Sequence, residues 1–115
     1  MMFSSCMKHA IEVYRLFFFS LANPNRLSIL NVLRTGEKNV TDICKATKFE
    51  QTMVSHNLKI LLLHGMIKLS SRGKFRYYAI NQKTIKPLMN LIDEHMEEYC
   101  CKLLHQHKEK HEKSI

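Results

Sequence analysis

Glycine is scarce in this chain of 115 residues, and its three positions, Gly36, Gly65 and Gly73, punctuate the fold. Helices tend to stop just before a glycine, which takes the left-handed backbone of a helix end without strain. Between Gly36 and Gly65 lie two short helical patterns. The first is expected from a capping Thr41 to about Lys48, with Ile43, Cys44 and Ala46 turned inward. A tight connection at Phe49-Glu50 leads to the second, about Gln51 to His64, whose apolar positions are Val54, Leu58, Leu61 and Leu62. Beyond Gly65, residues Met66 to Ile80 form two alternating apolar runs that flank Arg72-Gly73. Alternation about a glycine is a hairpin signal.

The flanks carry the other helices. A first helix, capped by Ser4 or Ser5, is expected to run to about Leu21, with Ile11, Tyr14, Phe17, Phe18 and Leu21 at helical steps. Its aromatic load implies burial on more than one side, as at a subunit interface. Asn23-Pro24 starts a second helix as cap and first-turn proline. Leu27, Ile29, Leu30 and Leu33 give that helix its apolar face. A last helix, from near Thr84–Pro87 to about Lys108, carries Leu88, Ile92, Met96, Tyr99 and Leu103 in one stripe, widened by Leu91 and His95. A domain this small offers little surface to cover such a stripe, so a second subunit is expected. The order is therefore α-α-α-α-β-β-α, mainly α with a small β-hairpin wing. It reads as a single winged helix-turn-helix domain over residues 1–115. Its first and last helices would dimerise, and residues 108–115 would be a disordered tail.

Charge then narrows the partner. Lysine and arginine outnumber acids 18 to 10, and from Gln51 to Ile92 there is no Asp or Glu. That stretch holds Lys59, Lys68, Arg72, Lys74, Arg76, Lys83 and Lys86. A one-signed surface attracts polyanions, and binding to phosphate backbones weakens steeply with salt. Double-stranded DNA is the expected partner. A winged helix that binds only other proteins is the alternative, and the acid-free stretch argues against it.

Other classes recede. The apolar runs Leu16–Phe19 and Ile60–Leu63 are too short to span a membrane. The first residues do not read as a secretion signal, so a cytoplasmic location is expected. No Gly-rich phosphate loop, nucleophile elbow or HExxH is present, and an enzyme is not expected. The cysteines, Cys6, Cys44, Cys100 and Cys101, show no CxxC spacing, and a cytosolic chain would keep them reduced.

The stretch Asp42 to Ile67, with Leu21-Ala-Asn-Pro-Asn-Arg-Leu-Ser-Ile-Leu30 before it and Arg72-Gly-Lys-Phe-Arg-Tyr-Tyr78 after it, resembles the ArsR/SmtB family of metal- and stress-responsive repressors. The resemblance covers about residues 10–105. It implies a homodimeric regulator that binds an operator and releases it on a signal, with the first and last helices at the interface. The fourth helix would enter the major groove, offering Gln51, Thr52, Ser55, His56 and Lys59. Gln can pair with adenine, and Ser or Thr can serve base edges or phosphates. Lys59 and the wing's Arg72, Lys74 and Arg76 would hold phosphate or reach the minor groove. Lys48 stands where the family's turn often has Gly, Glu50 where the helix often starts with Ser, and Asn57 where a His is common.

The resemblance also implies candidate sensor sites. A Cys-x-Cys site in the third helix is incomplete, because Asp42 precedes Cys44. A site shared by the two last helices uses Asp-x-His, matched by Asp93 and His95, plus two ligands 11 and 14 residues further on. Gln106 and Glu109 stand there, flanked by His105 and His107. Zinc or a similar divalent ion would suit it. Cys100 and Cys101 suggest another option. Cys101 and His105 are four apart on one helix face and would favour zinc, Cu(I) or, with a thiol from Cys6 or Cys44, arsenite. A thiol redox switch is a further reading. Asp93 and His95 also lie among Glu94, Glu97 and Glu98, the pattern of a solvated helix face, and a constitutive DNA binder with no inducer site stays open.

Overall fold

The computed structural model describes residues 10–100, with the side chain of residue 100 left aside. Four helices come first: α1 (Ala10–Leu21), α2 (Pro24–Leu33), α3 (Val40–Thr47) and α4 (Gln51–Leu63). Strands β1 (Ile67–Arg72) and β2 (Phe75–Ile80) follow, then α5 (Ile85–His95) and a π-helical turn, Met96–Cys100. The chain divides into two compact units between Asn81 and Gln82.

The first unit holds the core. Ile29, Leu30 and Leu33 of α2, Ile43 of α3, Val54, Leu58 and Leu61 of α4, and Met66, Ile67, Tyr78 and Ile80 of the hairpin are all buried. On α1 the expected Ile11, Tyr14 and Phe18 are exposed in the single chain, whereas on α2, α3 and α4 the expected faces hold, Cys44 and Leu62 half-buried, with two exceptions. Leu27 of α2 and Ala46 of α3 are exposed. On α2 the inward place goes instead to Arg26, which is buried.

Local chemistry explains the helix starts. Asn23 keeps an extended backbone, and its Oδ1 accepts from the amides of Asn25 and Arg26 at 3.0 and 3.1 Å. Pro24, lacking an amide proton, fits the first turn, where none is needed. The cap of α3 is Asn39, not Thr41: Asn39 Oδ1 accepts from the Asp42 amide at 2.8 Å. Both satisfy amides that have no partner within their own helix. Glu50 precedes α4 without a side-chain cap bond. Its charge still suits the positive helix end.

The hairpin is antiparallel, in register from Ile67 opposite Ile80 to Arg72 opposite Phe75. Its connecting residues are therefore Gly73-Lys74, one residue later than the sequence pattern suggests. Gly73 has φ +61° and Lys74 is not among the positive-φ residues. That pattern matches a two-residue turn with glycine at its first position. A further backbone pairing joins Lys38 to Tyr78, with N–H···O distances of 2.9 and 2.8 Å. It ties the loop before α3 to the outer edge of the wing, and no pattern in the sequence signals it. Asn81 closes the hairpin's base, its amide on the Met66 carbonyl and its Nδ2 on the Gly65 carbonyl.

In the second unit Ile85 is buried, Leu88 is half-buried, and Leu91, Ile92, Met96 and Tyr99 are exposed. The regular α-helix stops at His95, and the π turn replaces the uninterrupted helix expected there. The continuation to Lys108 and the tail lie outside the described residues. Among the described residues no helix is long and apolar enough to cross a membrane.

Candidate nucleic-acid interface

Helix α4 presents its site because its opposite face is buried. Val54, Asn57, Leu58 and Leu61 point inward. At 3.6 residues per turn, that leaves residues 51, 52, 55, 56 and 59 on the outer face. Gln51, Thr52, His56 and Lys59 are exposed and Ser55 is half-buried. All five line one shallow depression, so the residues singled out from the sequence converge. Their groups are hydroxyls, an amide, an imidazole and an ammonium, which can donate to or accept from base edges and phosphates.

The angle between α3 and α4 depends on Lys48. It takes a left-handed backbone, φ 61° and ψ 25°, and its amide donates to the Cys44 carbonyl at 2.7 Å. It is the one positive-φ residue other than glycine among the described residues. The turn thus keeps a glycine-like shape with a lysine in place, at a cost of roughly 1–2 kcal/mol.

Behind α4 sits a buried polar cluster that sequence reasoning missed. Arg26 Nε donates to the Ser20 carbonyl at 2.5 Å and Nη2 to the Phe19 carbonyl at 3.3 Å. Its Nη1 donates to Asn57 Oδ1 at 3.4 Å. Asn57 Nδ2 in turn donates to the Met53 carbonyl at 2.9 Å. Arg26 therefore caps the open carbonyls at the end of α1 and reaches the inner face of α4. Asn57 therefore has a packing role and lies off the outer face of α4. An arginine inside an otherwise apolar helix pattern was the available signal, because a buried guanidinium must find acceptors.

The wing's basic residues do not form one patch. Side chains alternate across a strand. The register puts Arg72 on the face shared by Ser70 and Tyr77, and Arg76, opposite Ser71, on the other. Lys74 stands in the turn. Arg72 forms an ion pair with Glu37, and its guanidinium lies 4.6 Å from the centre of the Tyr77 ring.

The candidate sensor residues are less complete. Asp93 and His95 are exposed, and the His95 ring lies 4.9 Å from that of Tyr99. Among the described residues no three His, Cys, Asp or Glu side chains come together as a metal site. Cys44 is a half-buried free thiol. Cys101, His105, His107 and Glu109, and the side chain of Cys100, lie outside the described residues.

A helix-turn-helix with an outward polar helix, followed by a two-stranded hairpin, defines a winged helix-turn-helix domain. Residues 23–68 match the model of the bacterial regulatory protein, arsR family. The arsenical resistance operon repressor of Bacillus subtilis is 32% identical over 92 residues, covering 79% of this chain and 82% of that one. The transcriptional repressor SmtB homolog of Synechocystis is 32% identical over 82 residues, 71% of this chain. The chain spans only 62% of that relative's length. Among solved structures, the homodimeric winged helix-turn-helix DNA-binding domain of a possible ArsR-family regulator from Mycobacterium bovis superposes with a TM-score of 0.71 at 31% identity. It covers 82% of this chain and 86% of its own. The chain belongs to the arsR family of bacterial regulatory proteins, a family of transcriptional regulators and not of enzymes.

Proposed function

We propose that the chain is a homodimeric transcriptional repressor that reads an operator in double-stranded DNA through α4 and the wing. The observation that carries this is the convergence of Gln51, Thr52, Ser55, His56 and Lys59 on the one open face of α4, within an acid-free stretch. Gln51, Ser55 and His56 would meet base edges near the start of the helix, and Lys59, Arg72, Lys74 and Arg76 would hold the phosphates on either side.

The dimer would form through α1 and α5. Ile11, Tyr14 and Phe18 make a stripe on α1 that is 60% or more exposed in the single chain, and Leu91 of α5 is 64% exposed. Apolar faces of this size belong to interfaces. The homodimeric state of the M. bovis relative supports the same assembly.

Release by a metal or thiol-reactive signal is the second reading. The name of the B. subtilis relative, a repressor of an arsenical resistance operon, favours it, and Asp93 and His95 are both exposed on α5. The described residues do not by themselves form a metal site. If α5 carries the site, zinc added to the DNA complex releases the duplex, and joint Asp93→Ala and His95→Ala substitution removes that response. Release by zinc that survives the substitution rules α5's pair out.

Selection of bound duplexes from a random pool tests the main reading. A shared, inverted-repeat sequence is expected, because a two-fold dimer reads two half-sites. Its affinity should fall steeply with salt. Recovery of no common sequence would leave the proposal without support.

A further inference from the structure

The ion pair on the wing has consequences for how the wing meets DNA. Arg72 is the last residue of β1, next to the turn that must approach the phosphates. Its guanidinium crosses its own strand pair, passes over the Tyr77 ring and ends on the Glu37 carboxylate. The backbone sets this geometry. Lys38 pairs with Tyr78, so the neighbouring Glu37 lies on the opposite pleat face, the one that carries Tyr77 and Arg72. Glu37 thus comes from outside the acid-free stretch and places a carboxylate among the wing's cations.

We propose that Glu37 is an intramolecular stand-in for a DNA phosphate, holding Arg72 in the free protein and yielding it to the backbone when DNA binds. This rests on the reading of the wing as a DNA-binding element. A carboxylate and a phosphate both accept the planar guanidinium fork, so the exchange conserves the hydrogen-bonding chemistry. The two side chains are 58% and 39% exposed, so the pair is weak enough to open. The Tyr77 ring contributes to Arg72's position in the free wing through a cation–π interaction. Partial self-neutralisation would weaken attachment to any duplex. Phosphate contacts carry no base information, so operator and random DNA would be affected alike.

A double-mutant cycle tests this, using anisotropy titrations of an operator duplex and a random duplex, with folding checked by circular dichroism. Glu37→Gln is expected to tighten binding to both duplexes by about two- to fivefold, the scale of an exposed ion pair. Arg72→Gln is expected to weaken both and to lower the slope of log K against log salt by about one. In the Arg72→Gln background the gain from Glu37→Gln should shrink to less than half on a logarithmic scale. An equal gain in both backgrounds would reduce Glu37 to general repulsion of DNA, and weaker binding by Glu37→Gln would make it a positioning residue; either overturns the proposal. If the wild-type chain binds neither duplex, the DNA-binding reading itself fails, a result separate from the behaviour of the pair.

Discussion

The central helix-turn-helix and the two outer helices use similar amounts of apolar side chain in opposite ways. In α2, α3 and α4 the leucines and isoleucines that face the core are buried, and among the described residues no buried side-chain polar atom lacks a partner. In α1 and α5 large apolar groups such as Ile11, Phe19 and Leu91 stand in solvent, Phe19 at 75% exposure. The first region is finished within one chain. The second leaves large apolar side chains exposed in the single chain, the surface that the proposed dimer would use.

That contrast is open to direct perturbation. Leu58→Ala, at a fully buried site on α4, should cost about 2–5 kcal/mol of unfolding free energy in urea titrations, because a cavity is left behind. Asn23→Ala removes the α2 cap and should cost about 1 kcal/mol. Lys48→Gly should move stability the other way, by about 0.5–1 kcal/mol, the difference between the left-handed penalty it relieves and the backbone entropy glycine loses. The smallest effect on the fold is expected outside the core. Phe18→Ser with Leu91→Ser should change the unfolding of a single subunit by about 0.5 kcal/mol or less. In sedimentation equilibrium the same pair should convert a dimer to a monomer. A large loss of subunit stability there would mean that the outer helices belong to the core after all.

Much of the reading module was legible from local rules. Asn23-Pro24, Gly65 and Gly73 mark boundaries through backbone chemistry that acts within a few residues. The outer face of α4 followed from period alone. What escaped depends on pairings between residues distant in sequence. Asn39 and Thr41 are both acceptable caps, and the Lys38–Tyr78 pairing, which fixes the approach to α3, joins residues that no local pattern connects. Arg26 meets Asn57 across 31 positions, and Arg72 meets Glu37 across 35. The wing's basic residues read as one group in the sequence, but the pleat divides Arg72 from Arg76. The sensor residues were the least legible. Asp93 and His95 make a spacing and not a site, and their proposed partners lie on residues beyond those described.

The outer face of α4 is proposed to read base sequence. The most direct test of that reading is the anisotropy of a selected operator and a random duplex with Ser55→Ala and His56→Ala combined. Neither side chain is part of the buried core, so the fold should persist. Operator affinity should fall by about 1–3 kcal/mol for each base edge that is no longer read, while affinity for the random duplex barely changes. An unchanged preference for the operator in that variant would contradict the assignment.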